Sequence, residues 1–161
     1  MNLYLFAPEL SLAVLALLVI VLDLLMEDKG LVAIVAVAGL IVPAFLTLTL
    51  IGQNDTAFYG TLMVDSFSII FKFLFLIVAA LIILSSLDYL KNRTKYHGEF
   101  YALVLLATMG MMLMASAGEF ISIYIGLELA SISLYVLAGF LKDSKSSEAS
   151  LKYLLLGAIS S

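Results

Sequence analysis

Apolar residues run through this chain in long blocks separated by short polar breaks. They show neither the alternation of half-buried strands nor the one-sided stripe of surface helices. A bilayer's hydrocarbon core, about 30 Å thick, needs about 20 apolar helical residues, since each adds only about 1.5 Å. Five blocks are that long. The first predicted span covers about 8–26 and stops at Glu27, Asp28, Lys29 and Gly30. Pro8 suits its first turn, and Glu9 complements the positive end of the helix dipole. The second span, about 31–51, contains Pro43, an expected kink. Residues 52–66 read as a polar loop, followed by spans at about 67–87, 100–116 and 120–141. A charged loop, 142–147, then leads into a sixth helical stretch from Glu148. The predicted fold is all-α: a single polytopic transmembrane bundle of five full spans and a partial sixth.

The fourteen residues from Glu148 to Ser161 would rise about 21 Å, too little to cross the core. The chain is therefore expected to be a portion of a longer membrane protein. The first span has no basic residues ahead of it, and its apolar run exceeds that of a signal peptide, so cleavage is not expected.

Composition narrows the function. Of 161 residues, 64% are hydrophobic and 12% charged, which excludes a soluble globule and a disordered chain. A net charge of -4 with eight Lys and Arg leaves no basic patch to gather phosphates, so no nucleic-acid partner is expected. There are no cysteines, hence no disulfides, iron–sulfur ligation or thiolate zinc sites, and the single His97 cannot hold a metal alone. No cofactor or metal is expected in the chain. Loop by loop, Lys and Arg number 1 (Lys29), 0, 3 (Lys91, Arg93, Lys95), 0 and 2 (Lys142, Lys145). The positive-inside rule then makes the loops after spans one, three and five cytoplasmic and places the N-terminus outside.

Most ionisable groups fall in loops or within a turn of an interface, where solvated or snorkelling side chains suffice. Three positions need more. Glu128 lies about nine residues below the outer end of the fifth span, roughly 13 Å down and close to the midplane. Tyr124, Ser131 and Tyr135 share its face at helical spacing, so a hydroxyl-bearing stripe could line a hydrated interior surface. Such a carboxyl either relays protons, with a movable cation shifting its affinity, or ties two helices together as a neutral hydrogen-bonding group. Its depth favours the relay. Lys152 lies about five residues into the sixth stretch and four after Glu148, an ion-pair spacing, and snorkelling competes with a functional role. Lys72, five residues into the third span among phenylalanines, is expected to snorkel. Gly126 and Ala130 predict close approach of a neighbouring helix, and Met109, Met111, Met112 and Met114 read as adaptable packing.

These features suit a transporter, pump or channel without choosing among them. The choice comes from resemblance. Residues 98–117, GEFYALVLLATMGMMLMASA, and 126–161, GLELASISLYVLAGFLKDSKSSEASLKYLLLGAISS, closely resemble the antiporter-like membrane subunits of proton-pumping NADH:quinone oxidoreductase, respiratory complex I. APEL at 7–10, VDSFSIIFK at 64–72 and DYLK at 88–91 extend the likeness. The GLEL setting of Glu128 favours the subunit N branch, since a tryptophan commonly precedes the glutamate in its paralogues. The resemblance implies the N-terminal portion of a fourteen-helix fold related to Mrp-type cation/proton antiporters. It implies that Glu128 is the fifth-helix glutamate that faces a lysine on a later broken helix, and that Lys152 is the sixth-helix lysine of the relay. It also implies that other subunits bind NADH, FMN, iron–sulfur clusters and quinone. The expected partners are the other membrane-arm subunits, protons and the lipid bilayer, and the expected location is a bacterial inner (cytoplasmic) membrane. An Mrp-like antiporter subunit and a structural scaffold of the same complex are the alternatives.

Overall fold

The computed structural model describes residues 3–52, 55–57, 62–91, 97–140 and 144–160. Arg93, Lys95 and Lys142 of the charge tally lie outside the described residues. After a short 3-10 turn, Leu3–Phe6, the first span is α1 (Ala7–Leu25), with Pro8 in its first turn. Asp28 begins the second span by accepting the Gly30 N–H at 3.0 Å.

That span is two helices, α2 (Lys29–Gly39) and α3 (Ile41–Leu48), broken at Leu40. Pro43 is the cause, but the break falls one turn before it. A proline cannot donate to the carbonyl four residues back, which here belongs to Gly39. Gly39 also lies tight against the Leu15 side chain of α1, where a Cβ would collide.

The polar loop contains a short antiparallel hairpin, β1 (Asp55–Ala57) and β2 (Leu62–Val64), with Asp55 opposite Val64. A reciprocal cap then opens α4 (Ser66–Ser85): the Ser68 N–H donates to Asp65 at 2.9 Å, and the Asp65 N–H donates to Ser68 Oγ at 3.0 Å. The single turn α5 (Leu87–Lys91) precedes α6 (His97–Ala115), and α7 (Phe120–Ala138) follows. The last helix, α8 (Ser144–Ser160), begins inside the segment expected to be a charged loop. Its 17 residues rise about 25 Å.

Among the described residues, five helical segments are long and apolar enough to cross a membrane, α2 and α3 counting as one. At the centre stands α6, packed against α1, α2, α4 and α7. Val19, Val32, Ala36, Ile83, Tyr101, Leu105 and Met112 form the heart of the core. The outward faces carry Leu10, Leu17, Leu24, Phe45, Phe67 and Ile77, exposed as a lipid-facing surface requires.

Successive spans alternate in direction, and contacts between non-consecutive elements define the two ends. At one end Asp23 of α1 abuts Gly98 of α6, and Phe100 meets Phe140 with ring centroids 5.5 Å apart. At the other, Leu5, Leu50, Val64 and Ile69 form a separate buried apolar cluster, and the Met63 N–H donates to the Ser116 carbonyl at 2.6 Å.

Candidate functional site

The packing of α7 orients the predicted acid. Gly126, Ala130 and Ser133 are buried against α6, and the close fit centres on glycine. A Cβ on Gly110 would lie 2.6 Å from Ala130 N and 2.7 Å from Gly126 O, so the two helices meet nearly backbone to backbone. Helical geometry turns Glu128 and its companions about 160° away from that seam.

Glu128 is therefore half-buried on the outer face of α7 and has no polar partner among the described residues. It is the ninth of the 19 residues of α7, midway along the helix. Ser131 and Tyr135 are half-buried on the same face, whereas Tyr124 is exposed. The stripe is thus present as a surface turned away from the packed bundle.

Among the described residues, α8 is the helix that packs on that side of α7. Ser150 donates to the Tyr135 carbonyl at 2.7 Å, Tyr153 meets the Tyr135 ring edge-on at 4.6 Å, and the Tyr135 hydroxyl lies directly against Gly157. Lys152 pairs with Glu148 at 2.8 Å, as the four-residue spacing predicts, and not with Glu128. The side chains are 71% and 64% exposed, so this pair contributes little to stability by itself.

Lys72 does not snorkel. Its Nζ lies 2.8 Å from Glu9 Oε1, and both residues are 0% exposed. Ile69 and Leu5, one turn before Lys72 and Glu9, belong to the apolar end cluster, which stands between the pair and the end of the bundle. An ammonium beneath that cluster has a carboxylate for company and no short route to water. Glu9, read from sequence as a partner of the helix dipole, is thus the most deeply buried acid among the described residues. One signal pointed to it. The first and third spans run in the same direction, and Glu9 and Lys72 stand within about 6 Å of each other in depth by helical rise.

A second group escaped the sequence pattern. Asp23 and His97 are buried near the opposite end, beside the buried Tyr101, whose ring meets His97 edge-on at 6.4 Å. No group of three or more His, Cys, Asp or Glu able to hold a metal occurs among the described residues.

The model of the family described as NADH:quinone oxidoreductase/Mrp antiporter, transmembrane, matches residues 117–161, the segment holding Glu128 and Lys152. NADH-quinone oxidoreductase subunit N of Dehalococcoides mccartyi is 44% identical over 159 residues, covering 98% of this chain and 33% of the relative. The protein of the same name from Trichlorobacter lovleyi is 42% identical over 162 residues, covering 99% of the chain and 33% of the relative. The chain thus spans about a third of the length of the curated relatives it matches. Among solved structures, a chain of respiratory complex I from Thermus thermophilus with bound aureothin superposes with a TM-score of 0.74 at 30% identity. That match covers 94% of this chain and 33% of the other. The chain is therefore homologous, over nearly its whole length, to a one-third portion of NADH-quinone oxidoreductase subunit N, and it has the antiporter-like transmembrane fold of that family.

Proposed function

We propose that the chain forms the part of a proton-translocating complex I membrane-arm subunit in which Glu128 holds an exchangeable proton. The observation that carries this reading is the placement of Glu128: midway along a membrane-length helix, on a hydroxyl-bearing face turned away from its own bundle, and without a polar partner among the described residues. A carboxyl facing bare lipid there would be costly, and a face reserved for a cation on another helix accounts for it. Approach of the cation stabilises the carboxylate and releases the proton, and withdrawal lets Glu128 take one up.

Lys152 is a cation placed for this work, since α8 packs on the cytoplasmic-side half of the same face of α7. Its pairing with Glu148 then marks one of its positions, and Tyr135 and Ser131 supply hydroxyls along the way. Redox chemistry belongs to other subunits, which carry NADH, FMN, iron–sulfur clusters and quinone. The companions of this chain are the other membrane-arm subunits in a bacterial inner membrane, with Lys29 and Lys145 on the cytoplasmic side.

The test uses the assembled complex in inverted membrane vesicles, with NADH oxidation and proton uptake measured together. Glu128→Gln keeps the hydrogen-bonding shape but cannot exchange a proton at neutral pH, so it should lose pumping as severely as Glu128→Ala. Glu128→Asp should retain much more. Normal pumping by the glutamine variant at unchanged NADH oxidation would make Glu128 a tether between helices and overturn the proposal.

A further inference from the structure

The pair Glu9–Lys72 has a different character from Glu128. Both residues are fully buried, their charged atoms are 2.8 Å apart, and beyond each other neither finds a hydrogen-bond partner among the described residues. The helices that carry them make at most marginal direct contact: α1 and α4 each pack on α6 instead. The two side chains therefore reach across and join helices that their backbones leave apart.

Apolar side chains close the pair in from both sides. Leu5, Leu50, Val64 and Ile69 lie toward the end of the bundle, and Leu12 and Leu76, one turn further along α1 and α4, belong to the main core. The whole of α6 and α7 separates the pair from the face that bears Glu128, because α7 packs on α6 with the opposite face. The buried hydroxyls of Thr108 on α6 and Ser133 on α7 each donate to a carbonyl of their own helix, those of Val104 and Leu129. An acid and a base enclosed in this way have a short distance to share a proton and, among the described residues, no third group to which to pass it.

We propose that Glu9 and Lys72 form a static charge clasp that fastens the first membrane helix to the third across α6 and stands outside the proton path. The two charges are tolerated only together. Removing one leaves the other buried and unpaired, which is strongly destabilising, whereas replacing both by apolar side chains of similar volume is nearly neutral. This inference does not rest on the role of Glu128, since assembly of the protein decides it first.

The experiment compares Glu9→Met, Lys72→Met and the double variant in the assembled complex, measuring the amount of intact complex in the membrane and the protons moved per NADH oxidised. Each single variant should lower the intact complex severalfold, and the double variant should restore it to near the wild-type amount. Protons per NADH should be unchanged in the double variant. Wild-type assembly by either single variant, or failure of the double variant to recover, would overturn the clasp. A double variant that assembles fully but moves fewer protons would place the pair in the proton path and overturn the proposal equally. Absence of pumping in the wild type itself would refute the relay reading and leave the clasp to be judged on assembly.

Discussion

Glu9 and Glu128 are both carboxyls within membrane-length helices, and their neighbours give them opposite prospects. Glu9 has a cation at 2.8 Å and is fully buried, while Glu128 has an open face and no cation beside it among the described residues. Depth in the membrane was legible for both from residue counting, but companionship was not, because Lys72 lies 63 positions from Glu9 along the chain. At the same level, Gly110 and Gly126 are chosen for the absence of a side chain. Gly110→Ala would set its new Cβ 2.6 Å from the Ala130 nitrogen, and backbone cannot move aside as a flexible side chain can. The expected cost is about 1–3 kcal/mol, the range for overpacking a close-packed interior. Thermal denaturation of the purified complex measures it, and an unchanged midpoint would mean that α6 and α7 can separate freely. Of this seam, the pair Gly126 and Ala130 was readable from its spacing, whereas Gly110 as its counterpart emerged only when the helices were brought together.

Among the helices, the second span illustrates how local chemistry and packing combine. Pro43 alone explains why the helix breaks, and its missing N–H explains why the break falls at Gly39 and Leu40. Pro43→Ala restores a donor aimed at the Gly39 carbonyl and should merge α2 and α3 into one straighter helix. Spin labels at the exposed positions 31 and 48 should then move apart toward the full helical rise of about 25 Å. An unchanged separation would assign the break to the contact between Gly39 and Leu15 instead of the proline. The start of α8 at Ser144 shows the converse limit. A stretch rich in Ser and Lys reads as a loop by hydropathy, yet Ser146, Ser150 and Tyr153 gain a helical footing against Tyr135 of α7 and Gly139, which caps its end.

For the molecule as a whole, the alternating charge of the loops predicts how it sits in the bilayer. Lys29 and Lys145 lie at the end of the bundle where Asp23 meets Gly98, and the hairpin of β1 and β2 lies at the other. If that first end is cytoplasmic, a cysteine at position 56 should react with an impermeant thiol reagent from the outer side, and one at position 145 only from the cytoplasmic side. Labelling of position 56 from the cytoplasmic side alone would invert the orientation and with it the direction of every proton step proposed above. In that orientation the Glu9–Lys72 clasp would lie toward the outer surface and Lys152 in the cytoplasmic half, with Glu128 between them in depth but on the far face of α7.

Hydropathy along the chain was enough to mark five membrane-length helices, the midway position of Glu128 and the spacing of Lys152 after Glu148, because each depends only on length, rise per residue and near neighbours. The motifs of 98–117 and 126–161 carried the family for the same reason, being runs of consecutive residues. Contacts between distant segments decided the rest: α6 as the centre of the bundle, Lys72 buried with Glu9 instead of reaching for the surface, and the face of Glu128 turned outward by a glycine seam on its back. A long apolar helix has no polar side to betray which face will be buried. In a membrane, that choice is made by close packing and by the charges that must find one another, and both come into being only when the helices assemble.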